Sequence, residues 1–143
     1  MIKVENIQLT KNFKLSEFTC KCGCGTVKID MDLVRLLQIL RDMLKKSVNV
    51  AIGYRCPAFN ASIPTASKNS QHMLGKAADI KVTGIQPEEL AYLAKKVGFT
   101  GVGFTGVGVY DTWVHVDVRD VNVGDLVTWD YREKNKGRKI CLF

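Results

Sequence analysis

Residues 70–82 read SQHMLGKAADIKV, a polar loop that runs into a predicted β-strand at residues 77–82. Side chains alternate between the two faces of a strand, so Asp79 and Lys81 lie opposite an apolar face. That apolar face consists of Ala78, Ile80 and Val82. A strand of this kind packs its apolar side on a core and leaves its polar side open. His72, in the loop, precedes a strand that carries a carboxylate on its open face.

Two further segments show the same alternation, VNVAIGYR at residues 48–55 and WVHVDVR at residues 113–119. The residues expected on the core side are Val48, Val50, Ile52 and Tyr54 in the first, and Val114, Val116 and Val118 in the second. The opposite faces carry Asn49, Ala51, Gly53 and Arg55 in the first strand, and Trp113, His115, Asp117 and Arg119 in the second. If the three strands pair in one sheet, their polar side chains converge on its open face.

Helical periodicity supplies the other layer. Asp30 is a plausible N-cap for a helix from Met31 to about Lys46, and Pro87 opens a second helix that stops at Gly98. The apolar stripe of the first helix consists of Leu33, Leu36, Leu37, Leu40 and Leu44. We therefore predict an α+β fold, with a small antiparallel sheet, helices packed on one face and a groove on the other.

Length and composition fit one soluble domain spanning residues 1–143, with 46% hydrophobic and 24% charged residues. The apolar runs fall far short of the ~20 residues that a membrane-spanning helix needs. The polar N-terminus lacks the apolar region of a secretory signal. We expect a monomer made in the cytoplasm that has no membrane partner and reaches its target after release.

The net charge is +7, with a basic tail from residue 134 to residue 139. It indicates either a solvated surface or an anionic polymer as partner. The sequence has neither a basic helix face nor an aromatic and basic strand of the RNA-binding kind. We therefore expect no nucleic acid partner, and a basic DNA binder stays an alternative that rests on charge alone.

Five cysteines are an odd number, which rules out a complete set of intrachain disulfides. Cys20, Cys22 and Cys24 cluster in CKCGCG, whereas Cys56 and Cys141 stand apart. The cluster could chelate a soft metal, but such a site needs a fourth ligand from elsewhere. The favoured interpretation is three reduced thiols in a glycine-rich loop.

Both histidines of the chain lie at informative positions, His72 before one strand and His115 on the polar face of another. Together with Asp79 they make a normal ligand set for a catalytic zinc, which keeps a fourth position for water. Taken singly, each histidine is more often a surface or hydrogen-bonded residue, so the pattern alone leaves both interpretations open.

The segment SQHMLGKAAD resembles the Ser-x-His-x-x-Gly-x-Ala-x-Asp motif of the M15-type zinc peptidases at every fixed position. That group includes D-Ala-D-Ala carboxypeptidases, vancomycin-resistance dipeptidases and phage endolysins, and the hedgehog signalling domain shares their fold. Three other segments are similar to the same family: residues 13–18, residues 53–57 with Asn60, and residues 106–119. The resemblance covers residues 10–120 and leaves residues 121–143 unplaced.

The resemblance implies that His72, Asp79 and His115 bind one Zn²⁺ per chain, and that a carboxylate serves as the general base. In many relatives this acid lies three residues before the second histidine, where this chain has Thr112. Asp111 is therefore the first choice for the base. Asp117 is the second, with orientation of a ligand histidine or pairing with Arg55 as its other possible roles.

The resemblance also assigns Arg55 to the substrate carbonyl or carboxylate, with a surface ion pair as the alternative. Ser70 either bonds substrate or braces the His72 loop, and Trp113 and Tyr110 either wall the groove or pack half-buried. The function implied is hydrolysis of peptidoglycan peptides by a D-Ala-D-Ala carboxypeptidase or an endolysin-type endopeptidase. The alternative from another class is a non-catalytic zinc module that binds wall fragments or a protein.

Overall fold

The computed structural model of the chain describes residues 7–99, 106–109, 112–120, 127–130 and 132. The strands within them are β1 (Asn49–Ile52), β2 (Ala77–Lys81), β3 (Gly106–Val109), β4 (Val114–Asp117) and β5 (Thr128–Asp130). They form one sheet in the order β1-β2-β4-β3-β5. All neighbours pair antiparallel except β3 and β5, which are parallel. The predicted α+β class is confirmed, and β5 adds a parallel edge strand from the segment that the sequence left unplaced.

The helices are α1 (Met31–Leu44), α2 (Pro57–Ser62) and α3 (Pro87–Ala94). The predicted cap of α1 is present, because the Asp30 carboxylate accepts a hydrogen bond of 2.9 Å from the Asp32 amide. α1 ends slightly earlier than predicted, where Lys45 takes a left-handed conformation with φ of 54°. No helix among the described residues has the length and apolarity needed to span a membrane.

The core lies between the helices and the apolar face of the sheet. It takes its side chains from the N-terminal segment, α1, α3 and the strands, as the alternation of β2 and β4 predicts. The largest fully buried members are Phe13, Phe18, Phe99, Leu33, Leu37, Leu40, Ile80 and Leu90. The opposite face of the sheet is therefore left for the polar residues of β2 and β4.

A bulge in β1 corrects one expectation. Val50 pairs with Ile80, but the next registered pair is Ile52 with Asp79, so Ala51 is an extra residue. A slip of one residue moves the following side chain to the other face of a sheet. The prediction that Ile52 faces the core was wrong, and its side chain instead lines the groove on the polar face.

The backbone at Gly75 explains why the motif needs glycine there. Gly75 has φ of 71°, and a Cβ built on it would lie 2.5 Å from the Lys28 carbonyl oxygen. We expect Gly75→Ala to lower the free energy of unfolding by on the order of 2–5 kcal/mol, from the left-handed conformation plus overpacking against backbone. Chemical denaturation of both proteins measures the difference.

Gly84→Ala is the matched control for that substitution. Gly84 also has a positive φ, 85°, but a Cβ there would meet only the flexible end of Lys46, at 3.4 Å. Gly84→Ala should therefore cost only about 1–2 kcal/mol. Equal losses of unfolding free energy in the two variants would show that the close approach of the Lys28 backbone to position 75 adds no steric cost.

Candidate active site

One hydrogen bond orients the ring of His72, and a second holds its backbone amide. His72 lies in a short 3₁₀ turn, Gln71–Leu74, where Ser70 Oγ accepts a bond of 3.2 Å from the His72 amide. The ring Nδ1 lies 2.7 Å from the Gly53 carbonyl oxygen. A carbonyl only accepts, so Nδ1 must carry the proton and Nε2 presents a lone pair. The structure thus places Ser70 where it braces the His72 loop.

That lone pair faces a carboxylate. His72 Nε2 is buried without a hydrogen-bond partner and lies 3.2 Å from Asp79 Oδ1. Burial lowers the pKa of His72 by more than the nearby Asp79 carboxylate raises it, which favours the neutral ring. Two lone pairs that face each other in a buried site call for a cation between them.

His115 reaches the same carboxylate from the neighbouring strand. It is registered opposite Asp79 in the β2–β4 pair, and its Nδ1 lies 3.2 Å from Asp79 Oδ1. Its Nε2 lies 2.7 Å from Asp117 Oδ2. Burial alone would lower the pKa of His115, but its bonds to Asp117 and Asp79 outweigh burial and raise the pKa to about 9. A metal ion and a proton are therefore alternatives at Nδ1.

Asp79 is the centre of this arrangement. Its Oδ1 is shared by the two histidines, and its Oδ2 lies 3.8 Å from Arg55 Nη2. Burial would raise the pKa of Asp79, yet the hydrogen bond from His115 and the nearby His72 ring hold it well below its usual range. The carboxylate is therefore ionised, as a metal ligand must be.

The three predicted ligands form a group that can hold a metal ion. One donor atom from each of His72, Asp79 and His115 lies within 4.8 Å of the other two, and all three residues are buried. Two imidazole nitrogens and one carboxylate oxygen suit Zn²⁺ and leave a coordination position open. Their assignment as ligands is compatible with this geometry and stays a prediction.

Asp117 is fully buried, and both of its oxygens are engaged. Besides the bond to His115, the carboxylate accepts hydrogen bonds from Arg119 Nη2 at 2.7 Å and Nε at 3.0 Å. Burial would raise the pKa of Asp117, but its bonds to His115 and Arg119 hold it well below the usual range. This geometry favours orientation of His115 over the role of base, and Asp117 does not line the groove.

The groove above the three residues has a volume of about 710 Å³. Arg55, Ser70 and Trp113, all expected at the substrate, line it. Among the described residues of its lining, Asp79 is the only acid. Asp111 and Tyr110 lie outside the described residues, so the choice of Asp111 as base stays a prediction.

Two side chains of the site have no role that the sequence alone predicted. Asn60 is buried, and its Oδ1 accepts a bond of 3.1 Å from Arg55 Nη1 while its Nδ2 donates to the Ser67 carbonyl at 2.8 Å. Trp129 of β5 lines the groove, with its ring centre 5.1 Å from that of His115. The run VTWDY, rich in β-branched and aromatic residues, was the available signal for this strand.

The family model for Peptidase M15 matches residues 11–117. The chain belongs to the M15 peptidase family. The match confirms the family resemblance stated above and includes His72, Asp79 and His115. β5 and Trp129 lie beyond the part that matches the M15 peptidases. A comparison with curated proteins found no match.

Proposed function

We propose that this M15 family member is a zinc-dependent peptidase that hydrolyses peptide bonds of bacterial peptidoglycan. The observation that carries the proposal is the buried, proton-free Nε2 of His72 that faces Asp79, with His115 on the same carboxylate oxygen. In a peptidase family, such a donor set in the lining of a groove fits a catalytic metal.

His72, Asp79 and His115 would hold the zinc ion. Zinc, when bound, acts as a Lewis acid towards the scissile carbonyl and makes water a better nucleophile at neutral pH. Asp117 keeps the His115 ring in place through Nε2, which leaves Nδ1 for the metal. The Gly53 carbonyl does the same for His72 through Nδ1. Asp111 is the residue we assign to take the proton from the attacking water and pass it to the leaving amine.

Arg55 is positioned to bind the substrate. Asn60 fixes one end of its guanidinium, and Asp79 lies 3.8 Å from the other. A planar guanidinium can donate two parallel bonds to a carbonyl or carboxylate. Arg119 also lines the groove, but its guanidinium is bonded to Asp117. We therefore assign Arg55 to the free carboxylates of peptidoglycan stem peptides.

We propose a monomer with no nucleic acid or membrane partner, which acts on the wall as a D-Ala-D-Ala carboxypeptidase or as an endolysin-type endopeptidase after its release. The net charge of +7 supports association with an anionic wall.

Digestion of purified muropeptides, read by mass spectrometry with and without a chelator, tests this function. Loss of one terminal D-Ala indicates a carboxypeptidase, whereas splitting of a stem or cross-link indicates an endopeptidase. Either reaction should stop with the chelator and return with added zinc. Binding of muropeptides by zinc-loaded protein without cleavage would support the non-catalytic module instead.

Arg55→Lys should preserve folding and reduce turnover. A lysine keeps the charge but cannot reproduce the guanidinium fork. The loss should therefore be smaller than the ~10²–10³ that removal of an oxyanion donor costs. Arg35→Lys, on an exposed face of α1 beside Asp32, is the matched control and should leave the rate unchanged. Wild-type kinetics in Arg55→Lys would remove Arg55 from the substrate site.

A further inference from the structure

Four cysteines meet away from the groove. The fold brings Cys56, the residue after Arg55, to the loop that carries Cys20, Cys22 and Cys24. All four sulfur atoms lie within 4.8 Å of one another. The sulfur of Cys22 lies 3.4 Å from that of Cys20 and 3.7 Å from that of Cys56. The fourth thiol that a site at CKCGCG needs is therefore supplied by Cys56, the N-cap residue of α2.

Local backbone geometry builds this cluster. Gly23 and Gly25 have φ of 89° and 76°, and a Cβ on either would meet open space. The glycines are thus explained by left-handed turns that bend the loop. Two backbone amides point at the sulfurs, since Cys56 N–H donates to Cys20 Sγ at 3.3 Å and Phe59 N–H donates to Cys56 Sγ at 3.4 Å. Such bonds stabilise thiolates.

The separations between sulfurs distinguish a metal site from a disulfide. A disulfide joins its sulfurs at about 2.05 Å. A tetrahedral site with Zn–S distances of about 2.3 Å holds its sulfurs roughly 3.8 Å apart. The separations of 3.4 and 3.7 Å are close to the tetrahedral value.

We propose that Cys20, Cys22, Cys24 and Cys56 form a closed tetrathiolate zinc site, separate from the groove. Each thiol loses its proton to solvent when the ion binds, and thiolates favour Zn²⁺ over harder cations. With four protein ligands the site has no open position, so it is structural.

The site links the N-terminal segment to the segment between β1 and α2, which carries Arg55. The same two segments meet at the Tyr54 amide, which donates a bond of 2.9 Å to the Phe18 carbonyl. They are packed so closely that a Cβ on Gly53 would lie 2.6 Å from Phe18 Cα. The ion thus joins two segments whose contact positions Arg55, and its removal loosens them together.

Metal analysis of the full chain tests the site. The wild type should hold two zinc ions, and the double variant Cys22→Ser, Cys24→Ser should hold one. Both cysteines are exposed, so serine there leaves core packing intact. Cys141→Ser, outside the described residues, is the matched control and should retain both ions. Full zinc content in the double variant would overturn the proposal.

Cobalt substitution tests the cysteine site in the wild-type protein, so the result does not depend on whether the cysteine variants fold. It also distinguishes the cysteine site from the metal site of the groove. Wild-type protein loaded with Co²⁺ should show strong thiolate-to-cobalt charge-transfer absorption in the near ultraviolet. His72→Ala should lose the cobalt ion of the groove and keep that absorption. The absorption arises from the cysteine site, whose ligands are sulfur only. Absence of the absorption in the wild type, or disulfides found by thiol titration of denatured, unreduced protein, would overturn the proposal. Failure to cleave muropeptides would contradict the proposed function without affecting this result.

Discussion

Asp79→Asn should abolish metal binding in the groove and peptidase activity together. The substitution keeps the shape of the side chain but removes the anionic ligand that contacts both His72 and His115 at 3.2 Å. Without the ion, several kcal/mol of transition-state stabilisation are lost, a fall in turnover of about 10³-fold or more. Elemental analysis and the rate of muropeptide cleavage measure the two effects.

Lys81→Ala is the control for that experiment, because Lys81 lies on the same strand and face as Asp79 but is exposed. It should retain the metal and the activity. Near-normal cleavage by Asp79→Asn would rule out the ligand set proposed for the groove. Loss of activity with full metal content would show that Asp79 acts on the substrate rather than on the ion.

Asp111→Asn should reduce turnover by on the order of 10²–10⁴ while metal content and stability stay unchanged. Asp111 is assigned as the general base, which acts on the proton of water and not on the ion. Asp117→Asn should instead weaken metal affinity by roughly 10–100-fold, because Asp117 orients His115 through its Nε2. Zinc titrations and single-turnover cleavage on both variants separate the two roles.

Two outcomes would contradict these roles of Asp111 and Asp117. If cleavage survives Asp111→Asn, another group takes the proton and the assignment of the base is wrong. If Asp117→Asn keeps its metal affinity yet loses turnover, Asp117 acts in proton transfer despite the bonds on both of its oxygens. A wild-type protein that holds zinc but never cleaves would favour the binding module.

Periodicity in the sequence was sufficient to predict the layers of the fold. The alternation in β2 and β4 placed Ile80, Val114 and Val116 in the core, where all three are fully buried. It also placed Asp79 and His115 on the polar face, and the strand register sets them directly opposite each other. The sequence determined these features because two-residue and helical periods are local and record which side of an element is buried.

Tertiary structure alone decided the points at which distant segments meet. The bulge at Ala51 turned Ile52 towards the groove, which no alternation pattern can indicate, because a bulge depends on the partner strand. β5 brought Trp129 beside His115, and the start of α2 brought Cys56 to the CKCGCG loop. The contacts of Asp117 with Arg119 and His115 were likewise visible only in the folded chain. Ligand sets and hydrogen-bond partners depend on which side chains lie close together in the folded chain. Local sequence patterns do not specify which remote side chain completes a ligand set or a hydrogen bond.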